Sequence, residues 1–172
     1  MKKIIFKLCC LSGILLLANQ LKAQNLLTVN EGFESGKTGW YFSGANVQLV
    51  NDDAHSGKTS LKVISQPGSI TLFYSDPKVQ KMTLSAGKKY ELRMWVKPLS
   101  KVREFELKVY SSSGYKAEQD VSEIVKNKPL KINEWQQLSI PFTSNDYQDA
   151  KFSIALGIGE ILFDDLALVE VK

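Results

Sequence analysis

Residues 89–110 restrict this chain to sheet structure more tightly than any other stretch. Tyr90, Leu92, Met94 and Val96 alternate with Glu91, Arg93, Trp95 and Lys97, and Phe105, Leu107 and Val109 alternate with Glu104, Glu106, Lys108 and Tyr110. A period of two places successive side chains on opposite faces of a strand, and an α-helix cannot separate that pattern into an apolar and a polar side. Read as a hairpin closed around Pro98 to Val102, the two strands pair with residue numbers summing to 201. That register sets Val96 against Phe105, Met94 against Leu107, Leu92 against Val109, and Lys97 against Glu104 as an opposite-charge pair.

The remainder continues in the same style. Short apolar alternations at 26–29, 46–51, 59–65, 69–75, 80–84, 135–142, 151–158 and 161–171 predict further strands. Turn residues separate them, at Asp52-Asp53, Gln66-Pro67-Gly68, Asp76-Pro77, Ala86-Gly87, Ser111 to Gly114 and Ser144-Asn145-Asp146. Residues 116–128 are compatible with a helical turn or a long loop. Many short strands with regular turn signals predict an all-β, antiparallel β-sandwich.

The first 23 residues read as a signal peptide. Lys2, Lys3 and Lys7 precede an apolar run from Leu8 to Ala18 that is too short to span a membrane, and Ala23 supplies the small residue of a cleavage site. Residues 24–172 then form one domain. The leader holds four lysines and no acid, so removing it from 22 basic and 18 acidic residues leaves 18 of each. The apparent basicity belongs to targeting, and a nucleic-acid partner loses its electrostatic support. Cys9 and Cys10 leave with the leader, so neither disulfide nor thiol chemistry is expected. The expected location is exported: periplasmic, cell-surface or secreted, with no membrane insertion after cleavage.

Three segments carry a resemblance. Asn30-Glu31-Gly32-Phe33-Glu34-Ser35-Gly36-Lys37-Thr38-Gly39-Trp40 opens the domain, Ala54-His55-Ser56-Gly57-Lys58-Thr59-Ser60-Leu61 lies in its middle, and Phe163-Asp164-Asp165-Leu166 closes it. Their order and spacing resemble jelly-roll carbohydrate-binding modules of families 4, 9 and 22, the galactose-binding-like sandwiches, over essentially the whole mature chain. The resemblance implies a structural calcium where the first and last strands meet. Its ligands would be the Gly32 carbonyl, the Glu34 carboxylate, the Lys58 carbonyl and Asp164, hard oxygens of the kind calcium takes. His55 stands where some relatives have a carboxylate.

Trp95 and Tyr110 fall on the polar face of the expected hairpin, and a tryptophan among charges is the informative exception on a surface. One reading is a sugar-stacking platform. A pyranose presents an apolar face of C–H groups to an aromatic ring, while Arg93, Glu106 and Lys108 bond its hydroxyls. The other is that a loop covers Trp95, or that Arg93 stacks on it. Trp40 and Trp135 read as packing residues. Phe73 and Tyr74 are adjacent and point to opposite faces, so Tyr74 could line a cleft. Ser153, Ala155 and Gly157 form a small-residue strip that leaves room for a groove or a covering loop.

Catalysis finds little support. His55 is the one histidine, which leaves a Ser-His-Asp triad without a convincing base and zinc with a single nitrogen ligand. Glu160-Ile-Leu-Phe-Asp164 lacks the carboxylate spacing of jelly-roll glucanases. The expected function is therefore non-catalytic binding of a polysaccharide or oligosaccharide on a concave sheet face by Trp95, Tyr110, Arg93, Glu106, Lys108 and Tyr74. The alternative is a structural or protein-interaction sandwich, with other envelope proteins as partners. A jelly-roll glycosidase or lyase is the third reading.

Overall fold

A computed structural model describes residues 24–43, 46–111, 114–121 and 129–171, and every regular element among them is a β-strand. In chain order these are β1 (Trp40–Ser43), β2 (Val47–Val50), β3 (Ser60–Ser65), β4 (Thr71–Ser75), β5 (Met82–Leu84), β6 (Lys89–Pro98), β7 (Arg103–Ser111), β8 (Gly114–Asp120), β9 (Gln136–Thr143) and β10 (Tyr147–Val171). All pairings are antiparallel. The fold is an antiparallel β-sandwich of jelly-roll type.

β10 belongs to both sheets. Its first half lies in sheet B, in the order β1, β4, β10, β7, β8, with β5 pairing its start. From Gly159 onward it lies in sheet A, in the order β2, β3, β10, β6, β9. Gly159 sits at the crossing with φ at 122°. A Cβ there would lie 2.9 Å from the Lys101 carbonyl oxygen and 3.0 Å from Val102 Cα, so the residue answers both to conformation and to a close backbone approach.

The alternation in 89–110 orients the side chains as expected, but the two strands do not pair with each other. Tyr90, Leu92, Met94 and Val96 are buried from sheet A, and Phe105, Leu107 and Val109 are buried from sheet B, in one common core. Val96 lies opposite Phe163 and Gln136, Leu107 opposite Ile154, and Lys97 opposite Leu162. Alternation specifies which face of a strand is buried and says nothing about which neighbour it meets. The connection after Pro98 therefore arches from one sheet to the other. Lys97 finds its carboxylate in Asp53, at 2.7 Å, and not in Glu104.

Aromatic rings knit the sheets together. Phe163 from sheet A meets Phe73 and Phe105 from sheet B, with ring centroids 5.0 and 5.8 Å apart. Phe33 and Trp40 extend the cluster, and the Trp40 indole N–H donates to the Asn30 carbonyl at 2.9 Å. Other boundaries shift. Residues 26–29 form no strand, but Asn25 bridges to Val169 and the Leu26 amide donates to the Leu168 carbonyl. The segments 151–158 and 161–171 are one strand. β1 was not expected, and β8 takes the start of the 116–128 stretch; 122–128 lie outside the described residues.

Gly159→Ala is expected to lower stability by more than the roughly 1–3 kcal/mol of backbone strain alone, because its new methyl also meets backbone. Gly68→Ala, at φ 84° with nothing within 4 Å, is the control. Urea unfolding of the two variants measures the difference.

Candidate functional site

The outer face of sheet B is built by the residues that alternate with the core. Phe73, Ile154, Phe152, Leu107 and Val109 point inward, which turns Tyr74, Lys151, Ser153, Ala155, Glu106, Lys108 and Tyr110 outward. Tyr41 and Tyr74 are direct cross-strand partners with ring centroids 5.3 Å apart and planes 34° apart. Tyr74 lies opposite Ser153, and Ser153 opposite Lys108. One step along, Lys151 lies opposite Tyr110. The Lys151 ammonium sits 4.7 Å from the Tyr74 ring centre and 4.6 Å from that of Tyr110, over both rings.

Tyr41, Tyr74, Lys151 and Tyr110 thus form a strip across four neighbouring strands, about 14 Å at a strand spacing of about 4.8 Å. Tyr41 is the open end at 43% exposure, and Tyr110 is covered, at 8%. Beside the strip runs a floor of Ser153, Ala155 and Gly157. Glu106 and Lys108 rise from β7 along it, with the Lys108 ammonium 3.6 Å from Glu106 Oε2. At the far end the Glu104 side chain lies against Gly157, where an added Cβ would meet its Oε2 at 2.3 Å.

The six predicted sugar-binding residues do not form one site. Tyr74, Tyr110, Glu106 and Lys108 share the outer face of sheet B. Trp95 and Arg93 stand on the outer face of sheet A, because β6 and β7 lie in different sheets. Trp95 lies opposite Gln137 and Asp164, not Glu106, and Tyr110 lies opposite Lys151, not Glu91. The His55 ring covers Trp95, with centroids 3.7 Å apart and planes 12° apart, and Trp135 meets His55 edge-on at 5.9 Å. A loop does cover Trp95, and it is the one through residues 52–58. Arg93 turns to Glu91 instead of the indole, bonding Oε2 through Nε at 2.7 Å. That bond, with one from Ser139, holds the Glu91 carboxyl below its ordinary value against the opposing effect of burial.

The residues predicted to hold calcium do meet at one junction. Glu34 Oε1 accepts the Lys58 and Thr59 amides, each at 2.8 Å, and this lowers its pKa. Asp164 is fully buried; its Oδ2 accepts the His55 and Ser56 amides at 2.8 and 3.1 Å, and its Oδ1 accepts the Asp165 amide at 2.8 Å. Burial raises its pKa, and these amide bonds oppose the rise. Asp165 takes the His55 Nδ1 at 2.6 Å and the Ser56 hydroxyl at 2.7 Å. An added Cβ on Gly32 would lie 3.4 Å from both Asp164 Oδ1 and Asp165 Oδ1, so the turn packs directly on these carboxylates. Glu34 Oε1 and both oxygens of Asp164 are thus turned towards backbone N–H donors. The 53–59 loop is closed by hydrogen bonds.

The family model for a carbohydrate binding domain, CBM_4_9, matches residues 25–161. The chain belongs to this family. A search of curated proteins finds no sequence match. Among solved structures, the domain is similar to the CBM22-1 xylan-binding domain of Paenibacillus barcinonensis Xyn10C, at 19% identity over 87% of this chain and 96% of that one, with a TM-score of 0.63. It is similar to TmCBM61 in complex with β-1,4-galactotriose at 20% identity over 87% and 100%, with a TM-score of 0.56. A cyclase from Fischerella sp. TAU also shares the fold, at 13% identity over 87% and 98% and a TM-score of 0.62. The sandwich alone therefore does not specify chemistry.

Two residues of the sheet B face escaped the sequence reading. Tyr41 follows the buried Trp40 and precedes the half-buried Phe42, an inward-outward-inward pattern too short to announce a strand. Lys151 opens a segment whose alternation was visible, but its stacking needs the pairing of β10 with β4 and β7.

The closed junction carries an expectation. At neutral pH a chelator leaves the melting temperature of the purified domain unchanged, whereas Glu34→Gln lowers it. Because the Glu34 pKa is lowered, its contribution is complete above the ordinary carboxyl value of about 4.5 and is lost as pH falls through the lower folded value. The gap between wild type and variant should therefore close in acid. A rise in melting temperature on adding calcium would contradict the hydrogen-bonded account.

Proposed function

We propose that this domain binds a polysaccharide or oligosaccharide along the outer face of sheet B and performs no catalysis itself. The observation that carries the reading is the strip of Tyr41, Tyr74, Lys151 and Tyr110 beside the small-residue floor. A sugar ring laid on Tyr41 and Tyr74 would bury its C–H face on apolar carbon. Its hydroxyls would then meet Glu106, Lys108, Lys151 and Ser153, groups able to donate or accept. Small side chains at Ser153 and Ala155 leave space for the chain to lie against the sheet. The xylan-binding and galactotriose-bound modules of the same fold support a glycan as the ligand class. Export through residues 1–23 belongs to the same proposal and places the domain where extracellular glycans are met.

Isothermal titration with xylan and β-1,4-galactan fragments tests this directly. Tyr74→Ala and Tyr41→Ala are expected to weaken binding by about tenfold or more, about 1.4 kcal/mol, in folded protein. Trp95→Ala should leave affinity unchanged while lowering stability, since it removes the support under His55. The opposite pattern, affinity lost with Trp95 and kept without Tyr74, would move the site to sheet A.

A further inference from the structure

Among the described residues, the other partly buried lysines of this sandwich are paired with carboxylates. Lys62 pairs with Glu160, Lys97 with Asp53, and Lys108 with Glu106. Lys151 is the exception. Half-buried near the start of β10, its ammonium lies over the rings of Tyr74 and Tyr110 and has no carboxylate or hydrogen-bond acceptor among the described residues. Two ring faces offer a cation their negative quadrupoles, but they do not cancel its charge. The positive charge therefore stands within the aromatic strip, and no described residue accepts a hydrogen bond from it.

We propose that the glycan recognised on this face is anionic, with a uronate carboxylate or a sulfate ester seated on Lys151. This rests on the reading of sheet B as the sugar-binding face and adds its substrate class. A neutral hydroxyl can accept one bond from the ammonium. An anionic oxygen accepts a charge-assisted bond, which is about twice as strong, and also neutralises a charge the protein leaves unmatched. Other carboxylates near this face have partners: Asp149, two residues before Lys151, accepts from the Ser111 hydroxyl at 2.6 Å, and Asp120 of β8 lies opposite Lys108. Glu106 is engaged by Lys108, and Glu104 lies over Gly157 at the opposite end of the floor. Like-charge repulsion would keep an acidic sugar away from Glu104 and place it over the tyrosines. Lys151 and the tyrosines thus lie at the end of the floor away from Glu104.

The test compares three galactans by titration calorimetry at low and high salt: neutral β-1,4-galactan, polygalacturonate and a sulfated galactan. Wild type should favour one charged polymer over the neutral one by about tenfold or more, with the advantage shrinking at high salt. The arm that wins separates carboxylate from sulfate. Lys151→Gln should erase the preference for the charged polymer, and Lys151→Arg should retain it. Lys88→Gln, which breaks an ion pair with Glu170 in sheet A, should retain it as well; its loss there would mean nonspecific attraction and overturn the proposal. Equal affinity of wild type for all three polymers, with Lys151→Gln changing none, would overturn the anionic preference and leave sugar binding intact. Failure of folded wild type to bind any of these galactans or xylan would instead remove the sugar-binding reading and this proposal with it.

Discussion

β10 has hydrogen-bonding neighbours on both edges over much of its length, and it changes sheets without being interrupted. It pairs with β4, β5 and β7 before the bend and with β3 and β6 after it. Removing it would leave both sheets without their centre. The bend at Gly159 is what lets one strand serve two layers, and the approach of the 101–102 backbone to that glycine closes the corner. The strand that organises the core also supplies the floor of the candidate groove at Ser153 and Ala155, its cation at Lys151, and the carboxylates at Asp164 and Asp165. Core, ligand face and loop anchor are thus held in one register, and a slip in that register would disturb all three.

The two outer faces use their polar residues differently. On sheet A the charges satisfy one another or the backbone. Asp165 anchors His55, His55 covers Trp95, Asp53 takes both Lys97 and the Trp135 indole N–H, and Glu91 holds Arg93. Such a face has few free donors to offer a ligand. On sheet B aromatic rings lie in a row, one of them open to solvent, beside side chains too small to cover the sheet. The same fold can place a site on either face, and the state of its hydrogen bonds distinguishes them.

What could be read from the sequence follows from what local pattern encodes. Alternation placed Tyr90, Leu92, Met94, Val96, Phe105, Leu107 and Val109 inside, and all seven are buried. It also placed Tyr74 and the Ser153–Gly157 strip outside. The pairing of β6 with β7 failed because a four-residue connection permits an arch between sheets as readily as a turn within one. That error put Trp95 beside Tyr110, when a whole sandwich separates their faces. Gly32, Glu34, Lys58 and Asp164, named through the three-part resemblance, lie close together at one junction. The partners of these carboxylates were beyond reach, because they are backbone amides whose direction depends on the loop's path. The roles of Tyr41 and Lys151 required knowledge of strands about 30, 75 and 40 residues away in the chain.

The central claim is the location of the ligand, and backbone amide chemical shifts measured while titrating an oligosaccharide test it most directly. The account predicts perturbations concentrated at Tyr41, Tyr74, Glu106 to Tyr110 and Lys151 to Ala155, with the amides of β6 and β9 unmoved. Shifts gathered instead around Arg93, Trp95 and Gln137 to Ser139 would contradict it and place the sugar on sheet A.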